Sequence, residues 1–301
     1  MLKKKIFENY KKSADYILEK IKTRPELAII LGTGLENLLD EMEDKVEINY
    51  RDVPNFLIST TNNSEGKFIF GKLSGKYVIC MTKRFHYYEG YDFDELAMPV
   101  YVLKLLGVKN LILTNAAGAV NYNFFPGDIC LIRDHINFAG LSPTRGNNLS
   151  EFGERFYPID NLYDKELRSL AKKSALEEGI ELKEGVYFFT VGPFFESPSE
   201  IRAIRNLGGD LVGMSTITET LTAGHCGIRV LAFSVATNYS SDRIENMDGS
   251  EVEDVAREVS PKLKNLIVKI IGGVGINEET RLWYALYAKI WKCCLVWRWR
   301  S

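Results

Sequence analysis

Residues 77–106 read YVICMTKRFHYYEGYDFDELAMPVYVLKLL, and the order of their patterns decides the class of fold. YVICMT is an apolar run that predicts a buried strand. FDELAMPVYVLKLL spaces its apolar groups as an amphipathic helix does. Between them, RFHYYEGY (84–91) brings together a permanent cation, an imidazole, three phenols and a carboxylate. A loop at the carboxyl end of a strand is where α/β sheets place ligands. Arg84 and His86 alternate along an extended backbone and would face one anion, with Tyr88 continuing on the same side. A surface turn with a solvated arginine and a packed histidine fits the local pattern equally well, so the rest of the chain has to decide.

On the amino-terminal side, apolar groups at Ile6, Tyr10, Ala14, Ile17 and Ile21 predict a packed helix that Arg24-Pro25 ends. LAIIL (27–31) is a continuous apolar run, a strand buried on both faces. It feeds GTGLENLL, read as a glycine turn opening a helix, where backbone N–H groups and the Thr33 hydroxyl offer an anion cradle. GTGLEN lacks the third glycine of a dinucleotide fingerprint. KFIFGKL and KYVICMT read as a hairpin turning at Ser74-Gly75, and STTNNSEG before them as a polar loop.

Toward the carboxyl end, strands are predicted at NLILT (110–114), DICLIRDHIN, GVYFFT, DLVGMS and RVLAFSVATN, alternating with helices over 164–179, SEIRAIRNLG, TITETLTAGHCG and EVEDVAREVSPKLKNLIVKII. Ser197 or Ser199 is placed to cap the helix after VGPFFESPSE. The 145–163 stretch is a long polar and aromatic loop. The alternation predicts one α/β domain, a mixed central sheet flanked by helices. Thr33, Arg84, Asn115, Glu196, Met214 and Asn238 all end strands or follow them, so they would gather at one rim.

Composition bounds the function. Hydrophobic content of 46% with 26% charged residues is that of a folded globular chain, and a net charge of −2 gives no global field for nucleic acid. Five cysteines without CxxC or Cys/His spacing argue against zinc and for free thiols in a reducing compartment. The basic start lacks an apolar signal core, and the expected location is cytoplasmic. The 277–301 tail holds all four tryptophans but is too charged for a membrane span, and no function is assigned to it. Neither a nucleic acid nor a membrane is expected as partner.

As reagents, Thr33, Arg84, His86 and Ser215 suit a tetrahedral oxyanion such as phosphate. Glu196 with Asn238 suits the edge of a heterocycle carrying N–H and C=O groups. Phe195 and Phe156 offer aromatic faces, and Tyr88 with Met214 could line a sugar. Anion, sugar and base subsites together suggest nucleoside phosphorolysis.

These residues lie in RFHYYEGY, LGVKNLILTNAAGAVN, PGDICLIRDHIN, VGPFFES, LVGMST and FSVATN, and on those motifs, in that order, the chain resembles the homotrimeric purine nucleoside phosphorylases. The resemblance runs from LGTGLENL to the helix near 270 and implies a phosphorylase domain over 1–276. It implies a phosphate site of Thr33, Ser64, Arg84, His86, Ser215 and the backbone at Ala116. Tyr88 and Met214 would meet the ribose, and Phe195, Glu196 and Asn238 the purine, with Glu196, Asn238 and His86 catalytic. Phe156 would complete a neighbouring subunit's pocket. Inorganic phosphate would be a co-substrate, with no cofactor and no metal. Asn238 goes with 6-oxopurines, inosine and guanosine, in that family. Two departures stand out: Ser64 stands where a histidine is usual near the phosphate, and Gly249-Ser250 where one is usual for the ribose 5′-hydroxyl, so tolerance of altered 5′ groups is expected. A methylthioadenosine-type phosphorylase, a nucleoside hydrolase and a non-catalytic nucleoside-binding protein stay open as alternatives. His135 and His225 are read as structural, and Glu89 as ordering the Arg84 loop.

Overall fold

A computed structural model describes residues 2–60, 65–243 and 250–275. Among these residues six α-helices and nine strands follow one another: α1 (Leu2–Ile21), β1 (Leu27–Ile30), β2 (Glu43–Asn49), β3 (Lys67–Leu73), β4 (Lys76–Met81), α2 (Met98–Leu106), β5 (Asn110–Ala119), β6 (Ile129–Asn137), α3 (Lys165–Glu177), β7 (Leu182–Phe189), α4 (Pro198–Asn206), β8 (Leu211–Gly213), α5 (Ile217–His225), β9 (Arg229–Tyr239) and α6 (Ser250–Gly273). Among the described residues no helix is long and apolar enough to cross a membrane.

The strands form one mixed sheet in the order β2-β3-β4-β1-β5-β8-β7-β6-β9, and β9 pairs back onto β5. The second half of the sheet therefore closes on itself through β5, β8, β7, β6 and β9. Strand β1 is parallel to both β4 and β5. Its side chains alternate between two cores: Ala28 and Ile30 pack with α1, α2 and α5, while Leu27, Ile29 and Leu31 pack with α3 and α6. That double burial is why LAIIL carries no polar residue. The hairpin turns where expected, with Ser74 and Gly75 both in the left-handed region (φ 50° and 76°).

Three expectations need correction. GTGLENLL does not open an α-helix: Glu36–Glu41 is a short 3-10 turn, and the chain then enters β2, a strand the polar sequence EDKVEIN concealed. NLILT does not end at Thr114, because β5 continues through NAAGA, paired with β8 on one side and β9 on the other. The RFHYYEGY loop is not extended throughout, since Tyr87–Glu89 forms a 3-10 turn capped by His86. Ser64, Gly249 and the 277–301 tail lie outside the described residues, and Ser250 is described only as the backbone that begins α6.

Candidate active site

The ends of β1, β4, β5, β8 and β9 and the segment after β7 border a cleft of about 900 Å³. Its walls include Thr33, Arg84, His86, Tyr88, Ala116, Phe195, Glu196, Met214, Ser215 and Asn238, with α6 closing one side through Val252, Glu253, Arg257 and Ser260. The backbones converge closely here. A Cβ on Gly32 would fall 2.6 Å from the Thr114 carbonyl oxygen, so β1 leaves the sheet against β5 with no room for a side chain. Gly192, at φ +65°, sits where a Cβ would strike the Met214 sulfur and the Tyr88 ring.

At one end of the cleft the Arg84 guanidinium is 6% exposed. Its Nη1 donates to Ser215 Oγ (3.1 Å) and to Thr216 Oγ1 (3.4 Å), and its Nε lies 3.2 Å from Glu219 Oε1. Nη2 is buried and has no hydrogen-bond partner among the described residues, an uncommon state for a charged group that an oxyanion would relieve. Thr216 adopts φ +74°, a strained conformation for a β-branched residue. It is held there by Asn115 Nδ2, which donates to its Oγ1 (2.8 Å), and by Thr220 Oγ1, which donates to its carbonyl. The strain turns the chain from β8 into α5 so that Ser215 Oγ meets Arg84. The Ser215 N–H donates to the buried Tyr187 hydroxyl at 3.2 Å.

His86 Nδ1 lies 2.9 Å from Glu89 Oε1, which also accepts from the His86 backbone N–H at 2.8 Å. The second Glu89 oxygen accepts from the Thr60 N–H and the Ser59 hydroxyl. Burial works against ionisation of Glu89, but hydrogen bonds from His86 and Thr60 outweigh it and bring its pKa down to about 2. An ionised Glu89 requires the proton on Nδ1 and leaves Nε2 as the ring's other functional atom. Tyr88 reaches the cleft by stacking on His86 (centroids 4.7 Å apart, planes 11°) instead of by strand alternation.

At the other end, Glu196 is 9% exposed and Asn238 7%. Thr190 Oγ1 donates to Glu196 Oε1 at 2.7 Å, and Ser241 Oγ donates to the Glu196 carbonyl at 2.7 Å. The Asn238 amide accepts from Thr237 Oγ1 (3.1 Å) and donates to the Tyr239 carbonyl (3.0 Å), which orients it. Phe195 is half exposed beside them. Phe156 does not line this cleft and is 89% exposed.

His225 is buried between Tyr101 and Asn148, and His135 contacts Tyr163, so both are engaged in packing away from the cleft. Sequence reasoning missed Thr190, Thr216 and Glu219. Glu219 left one signal, an acid in the otherwise uncharged segment TITETLTAG, where burial demands a partner. Asn115 lines the cleft as expected and also ties Ser234 and Thr216 together.

A mixed α/β sheet whose strand ends hold a buried guanidinium with an unpartnered nitrogen at one end and a carboxylate–amide pair at the other defines a class: a small-molecule site for a compound with an anionic and a planar polar part. The chain belongs to the phosphorylase superfamily, whose family profile matches residues 26–272. It is 43% identical to purine nucleoside phosphorylase 1 of Geobacillus stearothermophilus, over 88% of this chain and 97% of that one. It is 40% identical to the Bos taurus purine nucleoside phosphorylase, over 91% and 98%. The Schistosoma mansoni purine nucleoside phosphorylase in complex with inosine superposes with a TM-score of 0.86 at 39% identity, covering 90% of this chain and 98% of that one.

Proposed function

We propose that this chain is an enzyme that phosphorolyses 6-oxopurine nucleosides, releasing the free base and (deoxy)ribose 1-phosphate. The observation that carries the reading is the pairing of two unlike ends in one cleft. Arg84, buried with Nη2 unpartnered, waits for an oxyanion, and Glu196 with Asn238 presents an acceptor beside an amide.

Phosphate would be held by Arg84, Ser215, His86, Thr33 and the Ala116 backbone, which converts a bimolecular encounter into an oriented one. The C1′–N9 bond lengthens first, its electron pair leaving with the purine, and the sugar gains oxocarbenium character. Phosphate charge stabilises that cation, and a phosphate oxygen then forms the bond to C1′. Asn238 donates toward the base oxygen or N7 as negative charge builds there, and Glu196 accepts from the ring N–H. Tyr88 and Met214 flank the ribose, and Phe195 the base. We take residues 1–276 as one catalytic domain. The exposure of Phe156 supports a homotrimer in which it enters the neighbouring cleft.

Purified protein is incubated with inosine, with and without phosphate. The expected result is equimolar hypoxanthine and ribose 1-phosphate, released only with phosphate. Hypoxanthine without phosphate would replace this reading by a hydrolase. No turnover of inosine or guanosine would replace it by a binding protein.

A further inference from the structure

We propose that Thr190 is a positioning residue for base selection: its hydroxyl, donated to Oε1 of Glu196, fixes the carboxylate so that the other oxygen is the one offered to the base. The inference rests on the phosphorolysis proposed above and assigns the cleft a determinant of its preference.

Thr190 is anchored independently of the loop it serves. It follows β7 directly, and its backbone N–H donates to the Gly213 carbonyl of β8 at 3.0 Å, so two strands set where the hydroxyl lies. The main chain of Glu196 is fixed from the opposite side by Ser241. Ser241 in turn adjoins Asp242, which makes two hydrogen bonds to Arg205 of α4, at 2.7 and 3.0 Å, and accepts from Ser240 Oγ at 2.8 Å. Glu196 is thus located by a hydroxyl on its side chain and a hydroxyl on its backbone.

The orientation carries a chemical consequence. Burial pushes the Glu196 carboxyl above its ordinary range, the Thr190 hydrogen bond pulls it back, and the like charge of Glu200 on α4 pushes it up again. Of the other charged groups of α4 and the adjoining loop, Arg205 is paired with Asp242, Arg202 donates to Ser199, and Arg243 donates to the Asn121 and Phe124 carbonyls. Thr190 is therefore the neighbouring side chain that favours the ionised form. A carboxylate only accepts, and so it pairs with the ring N1–H of a 6-oxopurine. A carboxylic acid donates, and so it pairs with the bare N1 of a 6-aminopurine. Holding Glu196 as an oriented acceptor selects the first class of base over the second.

The test compares wild type, Thr190→Val and Thr190→Ser. For each, kcat/KM for inosine and adenosine is measured across pH 5.5–8.5, together with the Kd for hypoxanthine. The valine variant should lose roughly ten- to hundredfold in kcat/KM for inosine, mainly through KM. Its acid limb should move to higher pH, and its inosine-to-adenosine ratio should fall by a similar factor. Serine should restore all three. Should valine fail to fold, Thr190→Ala replaces it. An unchanged acid limb and ratio in the valine variant would overturn the proposal, as would serine and valine variants equally impaired. A wild-type protein without phosphorolysis would sink the functional reading alone, and hypoxanthine binding across the variants would still decide the role of Thr190.

Discussion

Replacing Arg84 by lysine keeps the charge of the proposed phosphate site and removes its fork. In the wild type Nε lies 3.2 Å from Glu219, Nη1 bonds Ser215 at 3.1 Å, and Nη2 has no partner among the described residues. A single ammonium that stays with the buried Glu219 is drawn away from Ser215 and from the position Nη2 occupies. The loss of one charge-assisted bond to the anion amounts to about 2–3 kcal/mol, or roughly 30- to 150-fold in kcat/KM for phosphate. Initial velocities with varied phosphate at saturating inosine read this directly, and the KM for inosine should move much less. A change within about threefold would refute the assignment of Arg84 to the phosphate. Alanine at this position does something different, because it strands Glu219, 4% exposed, without its cation. Breaking such a pair destabilises by about 3–5 kcal/mol. Arg84→Ala should therefore lower Tm, and adding Glu219→Gln should recover Tm without recovering activity.

Asn238→Ala should lower kcat/KM for inosine by at least about 100-fold, the effect of losing one preorganised donor to a developing charge; an unimpaired variant would remove Asn238 from the base site. Phe156→Ala, at an 89% exposed position, should leave Tm unchanged and raise the KM for inosine if the side chain completes a neighbour's cleft. Light scattering would have to find a trimer in both proteins for that account to stand. Glu89→Gln should destabilise the fold at neutral pH. Because the folded-state pKa of Glu89, about 2, lies below its ordinary 4.5, its stabilisation is present above pH 4.5 and lost as the pH falls toward 2. Urea titrations at pH 7 and pH 3 should find the gap between wild type and variant shrinking at the lower pH, and a constant gap would exclude the ionised hydrogen-bonded carboxylate as its source.

The sequence by itself determined the α/β alternation and most of the cleft lining. Local patterns such as LAIIL and KYVICM report double burial, and the chemically distinctive residues lie near the ends of strands or in the segments that follow them, so their place at the rim needs only the chain order. The motifs also carried the family. Tertiary structure alone decided what those residues are tied to. Arg84 meets Ser215 across 131 residues and Thr190 reaches Glu196 through a turn, and neither contact leaves a periodicity to read. The extension of β5 through NAAGA came from its pairing with β9 along this stretch and with β8 at Gly118 and Ala119, which no propensity of alanine and glycine announces. Burial supplies the physical reason for the difference. Hydrophobic faces repeat along the chain and can be read locally, whereas a buried charge or hydroxyl is satisfied by whichever strand the closed sheet brings beside it.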